Sequence, residues 1–304
     1  MALNQRQRWP KRVSPAARAV ATALALLLWV ARARAAAPAG GGHWVQTNVP
    51  LRASGTGMRE ARVWLPPSYD LPESVARRYP VVVFLHGWPG SQGNWPGQGR
   101  AGETLGELIA ARRIPEVIGL FPDGVGTGLI GRSMWLDSWD GRARLETFLT
   151  QDLFAWADSA YRTLTSPRDR AVIGLSDGAT AALNLLILHP GVFGAAGAHS
   201  GDYLIRRDVS SGRIFGPEPG ATRLREQHSP LLTVAHAVDH LRGITLYIDC
   251  GEDDSSIGDN RALHARLDSL GVQHTYAEFP RGHDWTYWRT HLVQSLEAVT
   301  KAMR

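Results

Sequence analysis

The sequence predicts an α/β fold: a mostly parallel central sheet with helices on both faces, three layers in all. Three observations carry this. From residue 43 onward, short apolar runs alternate with amphipathic segments. Such alternation over ~260 residues implies a parallel sheet covered on both sides. Residues 81–85 (VVVFL) are continuously β-branched, aliphatic or aromatic, as in a strand with no solvent face. Hydrophobic residues make up 44% of the 304-residue chain and charged residues 20%, enough to build a core and to exclude a disordered protein.

The elements follow in order. Residues 44–49 and 58–65 are expected as two initial strands, parted by the turn signal Ser54-Gly55-Thr56-Gly57. Strand 81–85 precedes a helix over 103–112, and EVIGLF at 116–121 is the next buried strand. Over 145–161, Leu145, Phe148, Leu149, Leu153, Trp156 and Tyr161 fall near one stripe of a helix. A strand at 170–175 and a helix at 178–188 follow, the helix stopped by His189-Pro190-Gly191. Strands at 193–199, 244–250 and 273–279, and helices at 258–270 and 286–303, complete the series. Residues 122–143 and 200–229, rich in Gly and Pro, are expected as long loops, and loops of that length tend to be functional. The expected catalytic domain is 43–304.

Charge and cysteine usage narrow the class. The net charge of +5 would by itself suggest an anionic partner. Its source is local: residues 1–35 hold Arg6, Arg8, Lys11, Arg12, Arg18, Arg32 and Arg34 and no acid, and removing these seven leaves 26 basic against 28 acidic residues, a net of −2. A basic start, the apolar run Ala19 to Ala31 and small residues around Ala35 and Ala37 describe an export signal over 1–35, cleaved near 35–37. The run is short of the roughly 20 residues that span a bilayer; the alternative is an uncleaved membrane anchor, and no stable membrane association is expected if the signal is cleaved. Residues 36–42 read as a flexible leader. No nucleic-acid motif is present, and Cys250, the single cysteine, excludes an internal disulfide and a Cys-rich zinc module. Lysine occurs only at Lys11 and Lys301, a coding bias of GC-rich genomes.

The chemistry concentrates at strand ends. Gly174-Leu175-Ser176-Asp177-Gly178 is G-x-S-x-G between an expected strand and an expected helix, the setting in which a serine is forced onto a sharp turn above a helix N-terminus. Such a serine needs a base, and the base an orienting acid, later in the chain. His283 follows the last strand and precedes the closing helix. Glu252, Asp253 and Asp254 all follow strand 244–250, and spacing does not choose among them. His86-Gly87-Trp88-Pro89-Gly90 follows strand 81–85 and can aim a backbone amide at a developing oxyanion, with the Asp177 amide as second donor. His199 ends a strand at the same edge and is a candidate pocket wall. His189 reads as structural, while His236, His240, His264 and His291 read as packed or solvated within helices.

The chain resembles the putative-esterase branch of the α/β-hydrolases, which includes esterase D-type enzymes, feruloyl and acetylxylan esterases and the antigen 85 mycolyltransferases. The resemblance runs from about residue 60 to the C-terminus. It rests on Tyr79-Pro80 through His86-Gly87, Phe121-Pro122-Asp123-Gly124, Glu146 to Thr150, Val172 to Ser176, His199-Ser200-Gly201, Cys250 to Asp254 and Gly282-His283-Asp284-Trp285. It implies an α/β-hydrolase fold, Ser176 as nucleophile, His283 as base, Asp254 as acid, the amides of Trp88 and Asp177 as oxyanion donors, and no metal or organic cofactor. Position 177 departs from relatives, which usually carry an uncharged residue there; a carboxylate facing away at the helix N-terminus would stabilise the helix. Trp135 to Trp139 and Glu146 to Thr150 look like antigen 85 proteins, whereas His86-Gly87 and Cys250 to Asp254 look like ordinary esterases.

The expected function is therefore a secreted or cell-envelope serine esterase of a bacterium, acting on a small-molecule, glycan or lipid ester. The alternatives are an acyltransferase to a sugar alcohol and a non-catalytic binding protein on the same fold. His86, Trp95, Trp135, Trp139, His199 and Trp285 are the candidate substrate contacts.

Overall fold

The chain enters through an antiparallel hairpin, β1 (His43–Pro50) and β2 (Met58–Leu65), with His43 opposite Leu65 and Pro50 opposite Met58. Then come β3 (Val81–Leu85), α1 (Ala101–Ala110), β4 (Ile118–Pro122) and α2 (Leu153–Ala160). The second half follows as β5 (Arg170–Leu175), α3 (Asp177–Leu188), β6 (Ala195–His199), α4 (Gly220–Gln227), β7 (Thr245–Gly251), α5 (Ile257–Ser269), β8 (Thr275–Phe279) and α6 (Trp285–Thr300). This computed structural model describes residues 41–126, 131–207 and 212–303. The expected export signal and most of the leader lie outside the described residues. Among the described residues no helix is long and apolar enough to cross a membrane.

The eight strands pair in the order β1-β2-β4-β3-β5-β6-β7-β8. β1–β2 and β2–β4 are antiparallel, and every pair from β4 to β8 is parallel. Side chains alternate across a strand, and β3 shows the consequence. Val81, Val83 and Leu85 face one core with α2, α3 and α5, while Val82 and Phe84 face the other with α1 and α6. Burial on both faces explains why β3 is apolar without interruption.

Expectation and structure differ at two segments. The helix expected over 145–161 is continuous only in outline: between Leu145–Thr147 and α2 the backbone widens into π-type winding over Phe148–Asp152. Asp152 there accepts hydrogen bonds from the Arg52, Ala53 and Ser54 amides and the Ser54 hydroxyl, at 2.6–3.2 Å, and so ties down the β1–β2 turn. The segment expected as a loop over 200–229 contains the helices Gly212–Phe215 and α4. Its apolar residues Ile205, Ile214, Phe215 and Ala221 pack on Met134 and Leu136 of the other long loop, forming a small satellite core. Each segment supplies too few apolar residues to show periodicity; the core exists only when the two meet.

Glu146 clamps this region to the body. One carboxylate oxygen bonds His189 at the end of α3, and the other lies 3.0 Å from His228 Nε2 after α4. Burial by itself would raise the Glu146 pKa, but the two histidines outweigh it and hold it at about 2. Burial lowers His228, and Glu146 more than reverses this. A depressed carboxyl pKa adds stability above the unfolded value near 4.5, and that stability is lost as pH falls towards 2. Below its ordinary value of 6.5 the raised pKa of His228 adds its full share, which lasts only while Glu146 stays ionised. Glu146→Gln should therefore destabilise the fold by about 2–4 kcal/mol at pH 5–6. In urea titrations the difference from wild type should shrink as pH falls below about 4.5.

Candidate active site

The turn between β5 and α3 sets the geometry. Ser176 stands there at φ 54° and ψ −123°, outside the usual L-residue regions. The turn closes so tightly that a Cβ on Gly174 would sit 2.0 Å from the Gly178 oxygen, and one on Gly178 would sit 2.4 Å from the Leu85 oxygen. Both flanking positions of the motif must be glycine because backbone already occupies the space. The Ser176 amide donates to His199 O at 2.9 Å, which pins the turn to β6.

His283 lies in the loop between β8 and α6. The next residue, Asp284, caps α6: its Oδ1 accepts from the Thr286 and Tyr287 amides at 2.7 and 3.0 Å. This fixes the loop that carries His283. The His283 Nε2 lies 3.0 Å from Ser176 Oγ, and Nδ1 lies 2.9 and 3.1 Å from the two Asp254 oxygens. Of the three acids left open by spacing, the geometry selects Asp254, which is buried, whereas Glu252 and Asp253 point to solvent. Asp254 also accepts from the Ser256 amide at 2.8 Å. Burial raises its pKa, but bonds from His283, the Ser256 amide and Ser200 lower it further. Burial lowers His283 in turn, and the Asp254 carboxylate, with Asp202 and Asp177 beyond it, lifts it above its ordinary value of 6.5.

Ser256, Ser200 and Arg132, which sequence reasoning did not place at the site, belong to it, together with Trp288, which the chain order puts next to the same edge. Ser256 and Ser200 support Asp254. Trp288 donates from Nε1 to Ser200 Oγ at 3.1 Å and meets the His283 ring edge-on at 4.8 Å. Arg132 forms a forked pair with Asp177, donating from Nε to Oδ2 at 2.8 Å and from Nη2 to Oδ1 at 2.7 Å, and it lies 5.5 Å from the Trp88 ring centre. The sequence signal for Arg132 was slight. Only the unusual acid at 177 could have prompted a search for a cation.

The structure corrects four of the six candidate substrate contacts. Trp95 is 1% exposed and donates to Leu85 O at 3.0 Å, inside the core. Trp135 is buried and donates to His86 O at 2.9 Å. His86 donates from Nδ1 to Gly87 O at 2.7 Å and accepts from the Gly124 amide at 2.9 Å. Burial, together with the charge of Arg59, pushes its pKa down to about 4, so it is a neutral brace for the turn after β3. His199 is fully buried between Asp249 Oδ1 at 2.8 Å and Ser295 Oγ at 2.9 Å. That trio repeats the serine–histidine–acid order in space, but no solvent or substrate reaches it. These side chains stand at the right edge of the sheet and turn inward, a choice that depends on backbone geometry absent from the sequence. Trp285 is half-buried, edge-on to Trp95 and Trp288. Trp139 is 56% exposed and Trp88 40%. The turn carrying Trp88 lies against the serine, since a Cβ on Gly87 would come 2.9 Å from Ser176 Cβ.

Residues 55–299 match the family described as "Putative esterase". The chain belongs to this esterase family. It is 26% identical over 255 residues to an uncharacterised protein of Corynebacterium glutamicum, covering 82% of this chain and 58% of that protein. It is 24% identical over 250 residues to an endo-1,4-beta-xylanase/feruloyl esterase of Xylanibacter ruminicola, covering 80% of this chain and 30% of that protein. The chain thus spans about half or less of the length of these curated relatives. A solved ferulic acid esterase superposes with a TM-score of 0.76 at 24% identity, over 87% of this chain and 99% of that one, which shows the α/β-hydrolase fold.

The Arg132–Asp177 pair yields a measurable consequence. The Asp177 carboxylate contributes to holding His283 up, and its guanidinium partner offsets that field. In Arg132→Ala the His283 imidazole should titrate at a higher pH than in wild type, as read from its ring protons by NMR.

Proposed function

We propose that this protein is an exported serine carboxylic-ester hydrolase working through an acyl-enzyme. The observation that carries the reading is the continuous relay from buried Asp254 through His283 to Ser176 Oγ, with contacts of 2.9 and 3.0 Å at an open sheet edge. Ser176 Oγ attacks the ester carbonyl while His283 Nε2 takes its proton, and Asp254 stabilises the imidazolium that forms. The tetrahedral oxyanion is received by the backbone amides of Trp88 and Asp177, at the β3 end and the first turn of α3. The alcohol leaves with the proton from His283, and water then releases the acid by the same route. The Arg132 fork neutralises the Asp177 side chain, so the carboxylate next to the nucleophile does not oppose the developing negative charge.

The exposed indoles of Trp88 and Trp139 offer flat apolar faces to an acyl or sugar group. Similarity to proteins named feruloyl and ferulic acid esterases supports an aromatic acyl class. Export rests on the basic-then-apolar start of the sequence. Transfer to a sugar alcohol is a second outcome of the same acyl-enzyme, supported by the likeness of Trp135 to Trp139 to antigen 85 proteins. An ester panel run with and without trehalose separates the two, since hydrolysis gives only free acid.

Ser176→Ala should lower kcat/KM for p-nitrophenyl acetate by at least about 10⁴-fold and abolish fluorophosphonate labelling; undiminished turnover would refute the assignment. The base must be neutral to accept the proton, so kcat/KM should fall as pH drops through the raised pKa of His283, with a midpoint above 6.5. In Asp254→Asn turnover should fall by about 10⁴-fold, and the residual acid limb should move to lower pH.

A further inference from the structure

The end of β8 opposite the catalytic loop carries a cluster that ester chemistry does not use. His264 lies on α5, Asp268 one turn later, and His274 immediately before β8. One ligand atom from each of the three lies within 4.8 Å of the other two. His274 has 3% of its side chain exposed, and its Nδ1 lies 2.8 Å from Val272 O. A carbonyl only accepts, so Nδ1 carries the proton and Nε2 presents its lone pair. That lone pair faces His264 Nδ1 at 2.8 Å. The His264 ring is held flat against Tyr276, with centres 4.4 Å apart and planes 14° apart. Tyr276 in turn donates to Glu278 at 2.8 Å, and Arg261 grips the same carboxylate.

We propose that His264, His274 and Asp268 form a divalent transition-metal site, best suited to Zn²⁺, that staples α5 to β8. Two imidazole nitrogens and one carboxylate oxygen match zinc and its neighbours rather than Mg²⁺ or Ca²⁺. The Val272 carbonyl supplies the outer-shell contact that fixes the tautomer of a liganding histidine. Tetrahedral zinc with bonds of about 2.0–2.1 Å sets ligand atoms ~3.3 Å apart. The histidine nitrogens therefore part by about half an ångström, and water takes the fourth position. His264 has 37% of its side chain exposed and Asp268 64%, so both have room to turn inward. Metal binding leaves the His264 proton on Nε2, which faces Asp268 Oδ2 at 3.6 Å. The five residues of β8 separate the site from the His283 loop by roughly 17 Å, so the staple bears on stability and not on turnover.

Calorimetric titration of chelator-stripped, tag-free protein with Zn²⁺ tests this. Wild type should bind one equivalent and gain in Tm, whereas Mg²⁺ and Ca²⁺ should do neither. His264→Gln and Asp268→Asn change exposed side chains; the first should lose at least about tenfold in Zn²⁺ affinity together with the Tm gain, and the second should be weakened in the same direction. Equal fluorophosphonate labelling of all three proteins would show intact folds, and should labelling fail in every one, circular dichroism serves instead, which separates failure of this site from failure of the esterase reading. Absence of Zn²⁺ binding, affinity unchanged in His264→Gln, or binding lost instead in Glu146→Gln would overturn the proposal.

Discussion

The rest of the site depends on one steric constraint, the closure of the β5–α3 turn beneath Ser176. Backbone meets backbone there: Gly174 against Gly178, and Gly178 against the end of β3. The contact joins the Ser176 turn to the strand that carries the His86–Gly90 loop, so neither can shift without the other. The sheet then distributes the remaining groups. β5 lies between β3 and β6; β3 ends in the His86–Gly90 turn, and β6 accepts the Ser176 amide. β7 and β8, the next two strands outward, end in the loops of Asp254 and His283.

Burial sorts chemically equivalent groups into different roles. His86 and His283 both stand on loops at the sheet edge that carries Ser176, yet one is driven down to about 4 by desolvation and the other is held up by a carboxylate. Serine, histidine and aspartate meet twice. At Ser176 they meet at an open edge; at Ser295, His199 and Asp249 they meet with no exposure at all. The second trio braces β6, β7 and α6 from within the fold; its serine hydroxyl is already given to the Leu292 carbonyl at 3.1 Å, and no solvent reaches it. Asp177 shows the same logic, since a buried carboxylate next to Ser176 is tolerable once a guanidinium grips both its oxygens.

Much of the fold was legible because its signals are local. Strand β3 is apolar throughout, the Ser176 motif lies between a strand and a helix, and His283 sits between the last strand and the closing helix; each follows from a few adjacent residues. The helices within 200–229 were not legible, because Ile214, Phe215 and Ala221 form a core only with Met134 and Leu136 from a loop some 80 residues earlier. Trp95, Trp135, His86 and His199 were misread for a related reason. Their positions along the chain place them at the catalytic edge, but whether a side chain points into the pocket or into the protein depends on loop geometry.

The sequence by itself determined the layered α/β architecture, the sharp strand-to-helix turn at Ser176 and the strand ends that carry His283 and the Glu252–Asp254 acids, because periodicity and steric demand act over a few residues. Tertiary structure decided which of Glu252, Asp253 and Asp254 faces His283, that Arg132 pairs with Asp177, that Ser200 and Trp288 pack around Asp254 and His283, and which indoles turn into the core. Those outcomes depend on distance and desolvation between segments far apart in the chain, and neither quantity exists until the sheet has formed.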